Sequence, residues 1–508
     1  MEADVFLYNG NFIILDSNYK DVDAIAIKYG LIVDIGNYGE IKDLIGSKTR
    51  VIDLKGKTVI PGFIDSHTHF ISLGMKKMSL DLSNTKSIKE VLDLIERKVK
   101  ELKPGEWIVG YGWDETKWSE KRYITSDDID SVSQQNPVLL IRICGHMGTL
   151  NTLGLQILGF DKNPNIKFGI IKEKDLKRAR DLLNPSVDQM EKAIELAFKE
   201  AKENGVTSLH DNVDEKYLKG YQTRYLKHYE FPVSIYLLIW KDFFSKILSS
   251  GFRTKFGNSI LRIGAIKLMV DGSVGARTAA FFEPYKDDPS TRGIMVIPEN
   301  NLYEIVETAH VNGVQLAIHA IGDRAIDISL DALKSAYKKV QRNDLRHRLE
   351  HVEFPTEEQI DTMKRLKIIA SMQPNFVGNW GQPDGMYTIR LGKERWRRNN
   401  PFREFIEKGV IVAFGSDCMP FGPLYGLHFA VNHFVDESSI SPIEALQAYT
   451  YNGAFASFEE EIKGSLTPGK YADLVVLSDN PLKNPTKIRE IKVLLTIHHG
   501  KIVFSNFV

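Results

Sequence analysis

The chain has 508 residues, of which 43% are hydrophobic and 10% aromatic, so it is long enough for two domains and has the composition of a globular protein. Lysine plus arginine balances aspartate plus glutamate at 66 each, which argues against a disordered chain and against a nucleic-acid-binding protein. The two cysteines, Cys144 and Cys418, are too few for a disulfide framework, so a metal site would have to use nitrogen and oxygen ligands.

The first residues, Met1 to Asp4, are acidic where a secretory signal would be basic. Apolar runs such as Val233 to Trp240 fall well short of the about 20 residues that span a membrane. We therefore expect a cytoplasmic protein that has no membrane and no nucleic acid as partner. A homodimer is the default expectation for its assembly.

Short β-strands are expected at both ends of the chain. Residues 1–60 alternate short apolar runs with turn dipeptides such as Asn9-Gly10 and Tyr29-Gly30, and residues 464–508 repeat that texture. Each segment is too small to fold alone. We therefore predict that residues 1–60 and 464–508 join as one composite β domain.

Between the two ends, helices alternate with buried strands. Segments such as Asn312-Gly313-Val314 and Lys408-Gly409-Val410 place a glycine C-cap directly before an apolar strand. Hydroxyl residues three positions before a glutamate or glutamine predict helix N-termini at Ser87, Ser186 and Thr356. Such alternation is typical of α/β proteins with a parallel sheet.

This middle part contains eight predicted strands, the number that a (β/α)8 barrel requires. They cover residues 62–69, 206–211, 233–239, 263–270, 315–320, 348–353, 368–373 and 411–417. The pattern predicts a (β/α)8, TIM-like barrel over residues 61–463. The stretch from about 72 to 190 separates the first two strands and carries a helix and strands of its own, so we interpret it as an insertion over the active site.

His67 and His69 lie at positions i and i+2 of the first predicted strand, so their imidazoles point the same way and can hold one metal ion. Further candidate side chains lie on the fourth, fifth, sixth and eighth strands, namely Lys267, His319, His351 and Asp417. The C-terminal ends of barrel strands converge at one mouth, so these side chains should meet there. Four imidazoles and a carboxylate suit zinc or a related divalent ion with positions left for water, which indicates a catalytic centre.

This layout resembles the amidohydrolase superfamily of metal-dependent hydrolases, in which an HxH pair, a lysine, two histidines and an aspartate on barrel strands build a centre of one or two metal ions. Five segments resemble its amidohydrolase type 3 group, which includes N-substituted formamide deformylase-like proteins: residues 110–114, 145–151, 267–279, 319–326 and 414–417. The resemblance spans nearly the whole chain. It implies that the two ends of the chain form a two-piece β-sandwich.

The resemblance also implies a role for each ligand. His67, His69 and Asp417 would bind the first metal ion, and His319 and His351 would bind the second. Lys267 would bridge the two ions after reaction with carbon dioxide to a carbamate (carboxylysine). An unmodified, ion-paired lysine is the alternative at this position.

Other residues match the group's pattern less specifically. Glu173, in a Gly-x-x-x-Glu element, is an additional candidate carboxylate near the metals. His146 and Asn151 are candidate pocket residues, with turn structure as the alternative.

Four further residues are candidate substrate or supporting contacts. His210 ends the second predicted strand, where a role beside the metal, a substrate contact and a structural hydrogen bond are all consistent with its position. Arg277 and Arg324 could clamp a substrate oxygen or form ordinary salt bridges. Trp113 fits packing in a core better than a role as a substrate platform.

A competing zinc motif is present at His347-Arg348-Leu349-Glu350-His351, which fits the H-x-x-E-H pattern of inverted zinc peptidases. That motif needs a helix. The segment is short and meets Pro355 just after Phe354, which favours a strand, and the motif leaves His67, His69 and His319 without a role.

The constellation predicts hydrolysis of a non-peptide amide, N-acyl or N-formyl carbon–nitrogen bond by a metal-bound hydroxide. Asp417 would take the proton of the attacking water and deliver it to the leaving nitrogen. Deamination of a ring amidine is the second hypothesis, and a non-catalytic scaffold with the same fold is the third.

Overall fold

The computed structural model describes residues 1–143, 147–183, 185–342 and 344–507, without the side chains of Glu173 and Asp181. Their β-strands are, in chain order, β1 Val5–Tyr8, β2 Asn11–Phe12, β3 Ala24–Lys28, β4 Leu31–Gly36, β5 Arg50–Asp53, β6 Thr58–Pro61, β7 Phe63–Thr68, β8 Leu80–Asp81, β9 Ile108–Trp113, β10 Val138–Arg142, β11 Met147–Leu150, β12 Ile170–Lys172, β13 Val206–Val213, β14 Ser234–Trp240, β15 Leu261–Met269, β16 Leu316–Ala320, β17 Arg348–His351, β18 Ile369–Met372, β19 Val412–Phe414, β20 Leu474–Leu477, β21 Val493–His498 and β22 Lys501–Ser505.

The α-helices of the same ranges are α1 Tyr38–Ile41, α2 Phe70–Met78, α3 Ile88–Val99, α4 Ser126–Asp130, α5 Thr152–Ile157, α6 Glu173–Leu182, α7 Val187–Glu203, α8 Glu215–His228, α9 Phe244–Ser249, α10 Glu299–Val311, α11 Asp323–Lys339, α12 Glu357–Arg365, α13 Pro374–Trp380, α14 Met386–Leu391, α15 Lys393–Trp396, α16 Phe402–Glu407, α17 Pro423–Val431, α18 Pro442–Ala448 and α19 Tyr451–Ala456. Short 3-10 helices lie at Lys42–Leu44, Glu115–Lys117, Lys241–Phe243, Asp436–Ser438 and Pro485–Glu490. None of the described helices combines the length and the apolar character needed to cross a membrane.

Eight parallel strands form the predicted barrel. Their order in the sheet is β7, β13, β14, β15, β16, β17, β18 and β19, so neighbours in space are successive barrel strands in the chain. The strands are almost entirely buried, as expected for a parallel sheet covered by helices. The predicted α/β fold class and its barrel are confirmed.

The last strand returns to the first and brings the sheet close to a closed barrel. The backbone amide of Asp417 donates to the carbonyl oxygen of His67 at 2.8 Å, and the amide of Ser416 donates to the Asp65 carboxylate at 2.8 Å. Gly415 makes this approach possible, because a Cβ at that position would lie 2.4 Å from the His67 backbone nitrogen. The first and last barrel strands are thereby joined beside His67.

Two further sheets are built from both ends of the chain. One has the order β4, β3, β1, β5, and the other has the order β2, β6, β20, β21, β22. Alternate residues of β1 and β3, such as Leu7 and Ile25, share an apolar core with Leu474 and Val476 of β20. The two sheets therefore pack as a sandwich.

Contacts within the chain separate two compact units. The first contains residues 1–69 and 198–508, with the barrel and the sandwich, and the second contains residues 70–197. The second unit has a five-stranded sheet in the order β12, β11, β10, β9, β8. Leu140 of β10 packs with α3 and Leu139 packs with α6, so opposite faces of this sheet are covered by different helices. The predicted insertion, residues 72–190, falls inside the second unit, and its location over the active site stays a prediction.

The three helix N-termini predicted from hydroxyl residues are present. The Ser87 hydroxyl accepts from the Glu90 amide, the Ser186 hydroxyl accepts from the Gln189 amide, and Thr356 and Gln359 form a reciprocal capping box. Local sequence therefore sets these helix starts.

Candidate metal centre

Three candidate ligands lie together at the C-terminal mouth of the barrel. One ligand atom each of His67, His351 and Asp417 lies within 4.8 Å of the others. His67 is on β7, His351 is the last residue of β17, and Asp417 follows β19. Residues far apart in the chain thus meet where the barrel strands end.

The other three candidate ligands surround this group. Nε2 of His69 is 3.3 Å from Oδ1 of Asp417, and Nζ of Lys267 is 3.4 Å from Nε2 of His67. The ring of His319 is 4.4 Å, centre to centre, from the ring of His351. We call these six residues, His67, His69, Lys267, His319, His351 and Asp417, the metal cluster.

Two members of the metal cluster have a left-handed backbone, which is uncommon for residues other than glycine. The φ angles are 74° at His351 and 51° at Asp417, and the residues that follow them, Val352 and Cys418, are also left-handed at 47° and 57°. Strained backbone of this kind is concentrated at functional sites, where it gives side chains orientations that a regular strand does not allow.

A buried carboxylate supports His67 from behind. Oε2 of Glu350 contacts Nδ1 of His67, which leaves Nε2 facing the metal cluster. Nε of Arg348 donates to Oε1 of Glu350 at 2.5 Å, and another guanidinium nitrogen of Arg348 donates to the Ser371 hydroxyl at 2.6 Å. A carboxylate on the far nitrogen of a metal-ligating histidine fixes its tautomer and orientation.

His210 belongs to this supporting layer. Its Nδ1 accepts from Nη1 of Arg348 at 2.7 Å, and its ring packs on Tyr236. The structure thus shows His210 in a hydrogen bond to the arginine that is paired with Glu350. A contact between His210 and substrate stays a prediction.

Asp271 fixes the segment that follows β15. Its carboxylate accepts from the backbone amides of Ala280, Ile321 and Gly322, and burial raises its pKa to about 7. In the same place Nε2 of His319 donates to the carbonyl oxygen of Gly272 at 2.9 Å, which leaves Nδ1 with a free lone pair.

Burial keeps the imidazoles neutral, the form that binds metal. It lowers the pKa of His67 and His351 well below the usual value, and it lowers the pKa of His69 to about 4 and of His319 to about 3. Burial also lowers the pKa of Lys267 to about 8, which increases the fraction of neutral amine at neutral pH.

The donor set fits a divalent ion. Among the described residues, Nδ1 of His351 and Oδ1 of Asp417 are buried atoms without a hydrogen-bond partner. Leaving such atoms unpaired is costly, and a cation would satisfy both. Nitrogen and carboxylate ligands around one point suit zinc and its neighbours in the first transition row.

A cavity of about 360 Å³ adjoins the metal cluster and reaches His319, His351 and Asp417. Its walls include Phe376 and Trp380 of α13 and Tyr387 of α14. The Tyr387 hydroxyl donates to the buried carboxyl of Glu353, and burial raises the pKa of that carboxyl to about 8. A small molecule in this cavity would touch the metal cluster directly.

The two arginines proposed as substrate clamps do not line this cavity. Arg277 is paired with Asp287 through Nε at 3.1 Å and Nη2 at 2.9 Å. Arg324 is exposed at the start of α11. Arg277 therefore forms the salt bridge that was the alternative to a substrate contact, and its Nε and Nη2 donors are used by Asp287.

Trp113 and Asn151 have structural roles within the second unit. Trp113 is fully buried, stacks on Trp118 and donates its indole N–H to Leu140. Oδ1 of Asn151 accepts from the backbone amide of Val138 and, as the N-cap of α5, from that of Gly154. Both side chains make the contacts of the packing and turn alternatives, and a substrate contact for either stays a prediction. Glu173 begins α6, its side chain lies outside the description, and His146 lies outside the described residues.

The competing H-x-x-E-H motif is not helical. Arg348–His351 forms β17, and His347 is buried with Nε2 3.0 Å from Nδ1 of His310. Nδ1 of His347 accepts from the amide of Leu316. Both nitrogens of His347 are therefore used, and of the two histidines of this motif only His351 belongs to the metal cluster.

Glu350, Arg348 and Asp271 are site residues that the sequence analysis did not single out. Glu350 and Arg348 alternate on one strand with Leu349 between them, so both side chains point into the barrel. A charged pair on the inner face of a buried parallel strand was the available signal, since such strands are otherwise apolar.

Comparison with known proteins adds independent information. A family model described as amidohydrolase family matches residues 50–504. The amidohydrolase YtcJ of Bacillus subtilis is 31% identical over 98% of this chain and 99% of its own length. The N-substituted formamide deformylase of Arthrobacter pascens is 27% identical over 99% of this chain and 98% of its own length. A solved structure of an uncharacterized metal-dependent hydrolase from Pyrococcus furiosus superposes with a TM-score of 0.83 at 30% identity, covering 94% of this chain and 100% of that one.

Proposed function

Because this chain belongs to the amidohydrolase family, we propose that it is a metal-dependent hydrolase of non-peptide carbon–nitrogen bonds, acting on amides, N-acyl amines or N-formyl amines. The observation that carries the proposal is the convergence of four histidines, a lysine and an aspartate at one barrel mouth beside a cavity. The name of the deformylase relative supports a carbon–nitrogen bond as the target.

We assign the metal ligands as follows. His67, His69 and Asp417 would hold one divalent ion, with zinc as the preferred identity, and His319 and His351 would hold a second. Lys267, as a carbamate, would bridge them. A divalent ion at this site would lower the pKa of a water molecule and polarise the carbonyl group of the substrate.

The chain's own residues would supply position and proton transfer. Asp417 has an unpaired Oδ1 at the cavity, and burial raises its pKa, so it can accept a proton and return it to the leaving nitrogen. Glu350 holds the ring of His67, and Arg348 holds Glu350. This chain of contacts restricts the ring before substrate arrives, and such pre-organisation reduces the cost of reaching the transition state.

Metal analysis and a substrate panel test the proposal. Purified protein should contain at least one stoichiometric divalent ion and should release an amine and an acid from simple amides. Asp417→Asn should lower kcat by at least about 100-fold with a modest loss of metal. A fully active Asp417→Asn variant would remove the role assigned to Asp417.

The same panel separates the other two hypotheses. Release of ammonia from a cyclic amidine, without hydrolysis of amides, would show a deaminase. Absence of a stoichiometric ion together with absence of turnover would favour the scaffold.

Carbamylation of Lys267 has its own test. Incubation with 13C-labelled bicarbonate should give a carbamate carbon signal in the NMR spectrum of the wild-type protein, because burial favours the nucleophilic neutral amine. Lys267→Met should lack that signal. The same signal in both proteins would place the carbamate elsewhere.

A further inference from the structure

We propose that the substrate carries an uncharged, apolar group of about the size of one aromatic ring, and that this group occupies the cavity beside the metal cluster. The inference deepens the proposed function and rests on it. It concerns the part of the substrate next to the reacting bond.

The walls of the cavity are apolar on several sides. They are formed by Val274, Ile321, Phe376, Trp380, Met386 and Tyr387. Phe376 lies nearly parallel to the His351 ring, with centroids 5.8 Å apart and an interplanar angle of 6°. Trp380 continues from Phe376 at 4.7 Å. An aromatic wall thus begins at a proposed metal ligand, where flat apolar groups gain both buried area and ring contacts.

The volume limits the size of this group. About 360 Å³ lies at the lower end of the roughly 300–1,000 Å³ found for small-molecule sites. One ring or one branched aliphatic chain with the amide attached fits such a space.

Away from the metal cluster, the described lining of the cavity offers no cationic side chain to an anionic group. Among the described residues that line it there is no lysine or arginine, and its acidic side chains are Glu353 and Asp417. The arginines nearby in sequence are used elsewhere: Arg277 and Arg390 bind Asp287, and Arg395 donates to the Pro284 carbonyl oxygen at 2.7 Å. A carboxylate on the group that packs against Phe376, Trp380 and Met386, rather than at the metal cluster, would be desolvated without a cationic partner among the described lining residues, which is strongly unfavourable.

The test compares three acetamides with the metal-loaded protein. N-benzylacetamide and N-(4-carboxybenzyl)acetamide share the reacting bond and the ring and differ in charge, and N-methylacetamide lacks the ring. The benzyl compound should have a kcat/KM at least about 100-fold above the carboxybenzyl compound and at least about 10-fold above the methyl compound. Equal or higher kcat/KM for either comparison compound would overturn the proposal.

Calorimetric binding of the same three compounds separates this inference from the proposed function. Tighter binding of the benzyl compound without turnover would leave the cavity inference standing and refute amide hydrolysis. Turnover of all three compounds without preference would support amide hydrolysis and refute the cavity inference. Absence of both binding preference and turnover would refute both.

A variant provides a second measurement. Met386→Arg places a cation in the wall and should reduce the preference for the benzyl over the carboxybenzyl compound by at least about 10-fold. Ile389→Arg adds the same charge on the same helix at a residue that is 56% exposed and does not line the cavity, so its preference should match the wild type. An unchanged preference in Met386→Arg, with metal content retained, would contradict the proposal.

Discussion

Glu350 has two functions at a single buried position. It contacts Nδ1 of His67, a residue 283 positions away in the chain, and it is paired with the fully buried Arg348. Chain order and strand count predict that the six members of the metal cluster lie at one barrel mouth. They do not indicate the role of Glu350, because only the folded barrel brings its carboxylate to His67.

Replacing Glu350 by glutamine should weaken both functions. Metal affinity should fall by about 10–100-fold because the carboxylate that orients His67 is lost. The free energy of unfolding should fall by about 3–5 kcal/mol because Arg348 stays buried without its counter-charge. Chelator competition and urea denaturation measure the two effects. Glu394→Gln, at an exposed position, is the control and should change neither.

The strands of the barrel were predictable because glycine caps followed by buried apolar runs are local signals. The sheet of the second unit was less so. Two of its five strands were predicted, over residues 107–111 and 138–143, and correspond to β9 and β10, whereas β8 has two residues and β12 has three, too few to show an alternating pattern. The pairing of β6 with β20 could not be predicted either, because an alternation of apolar runs and turns indicates strands but not which strands pair.

Substitution of Gly415 tests how closely β19 approaches β7 where the barrel closes. Gly415→Ala would place a methyl group 2.4 Å from the backbone of His67, so β7 and the end of β19 must separate. We expect a loss of about 1–3 kcal/mol in the free energy of unfolding, with a fall in metal affinity because His67 and Asp417 move apart. Thermal denaturation and metal titration measure both. Gly39→Ala, where a Cβ meets nothing within 4 Å, is the control. Wild-type stability in Gly415→Ala would contradict the close approach.

For the whole molecule, buried histidines outside the metal cluster make stability depend on pH. Burial lowers the pKa of His347 and of His433 to about 3. In the unfolded chain their pKa is about 6.5, so below that pH the unfolded state binds more protons than the folded state. The contribution of these two histidines to the free energy of unfolding therefore falls as pH decreases from about 6.5 toward 3. Asp473, whose pKa burial raises to about 6, opposes this trend between about pH 4 and 6.

A variant isolates the histidine contribution. His433→Gln removes one titrating group, so its free energy of unfolding should depend on pH less steeply than that of the wild type, by about 1 kcal/mol per pH unit between pH 5 and 6. Urea denaturation at a series of pH values gives both slopes. Parallel slopes would mean that His433 is not held neutral in the folded protein.

The metal cluster and the aromatic wall of the cavity are carried by different elements. The metal cluster lies on barrel strands or directly after them, whereas Phe376, Trp380, Met386 and Tyr387 lie on α13 and α14. Substitutions in these two helices can change which substrate groups fit the cavity without changing a metal-binding residue. The barrel can therefore keep one reaction while its substrate diverges, and a library confined to residues 374–391 is the economical way to search for new activities in this chain.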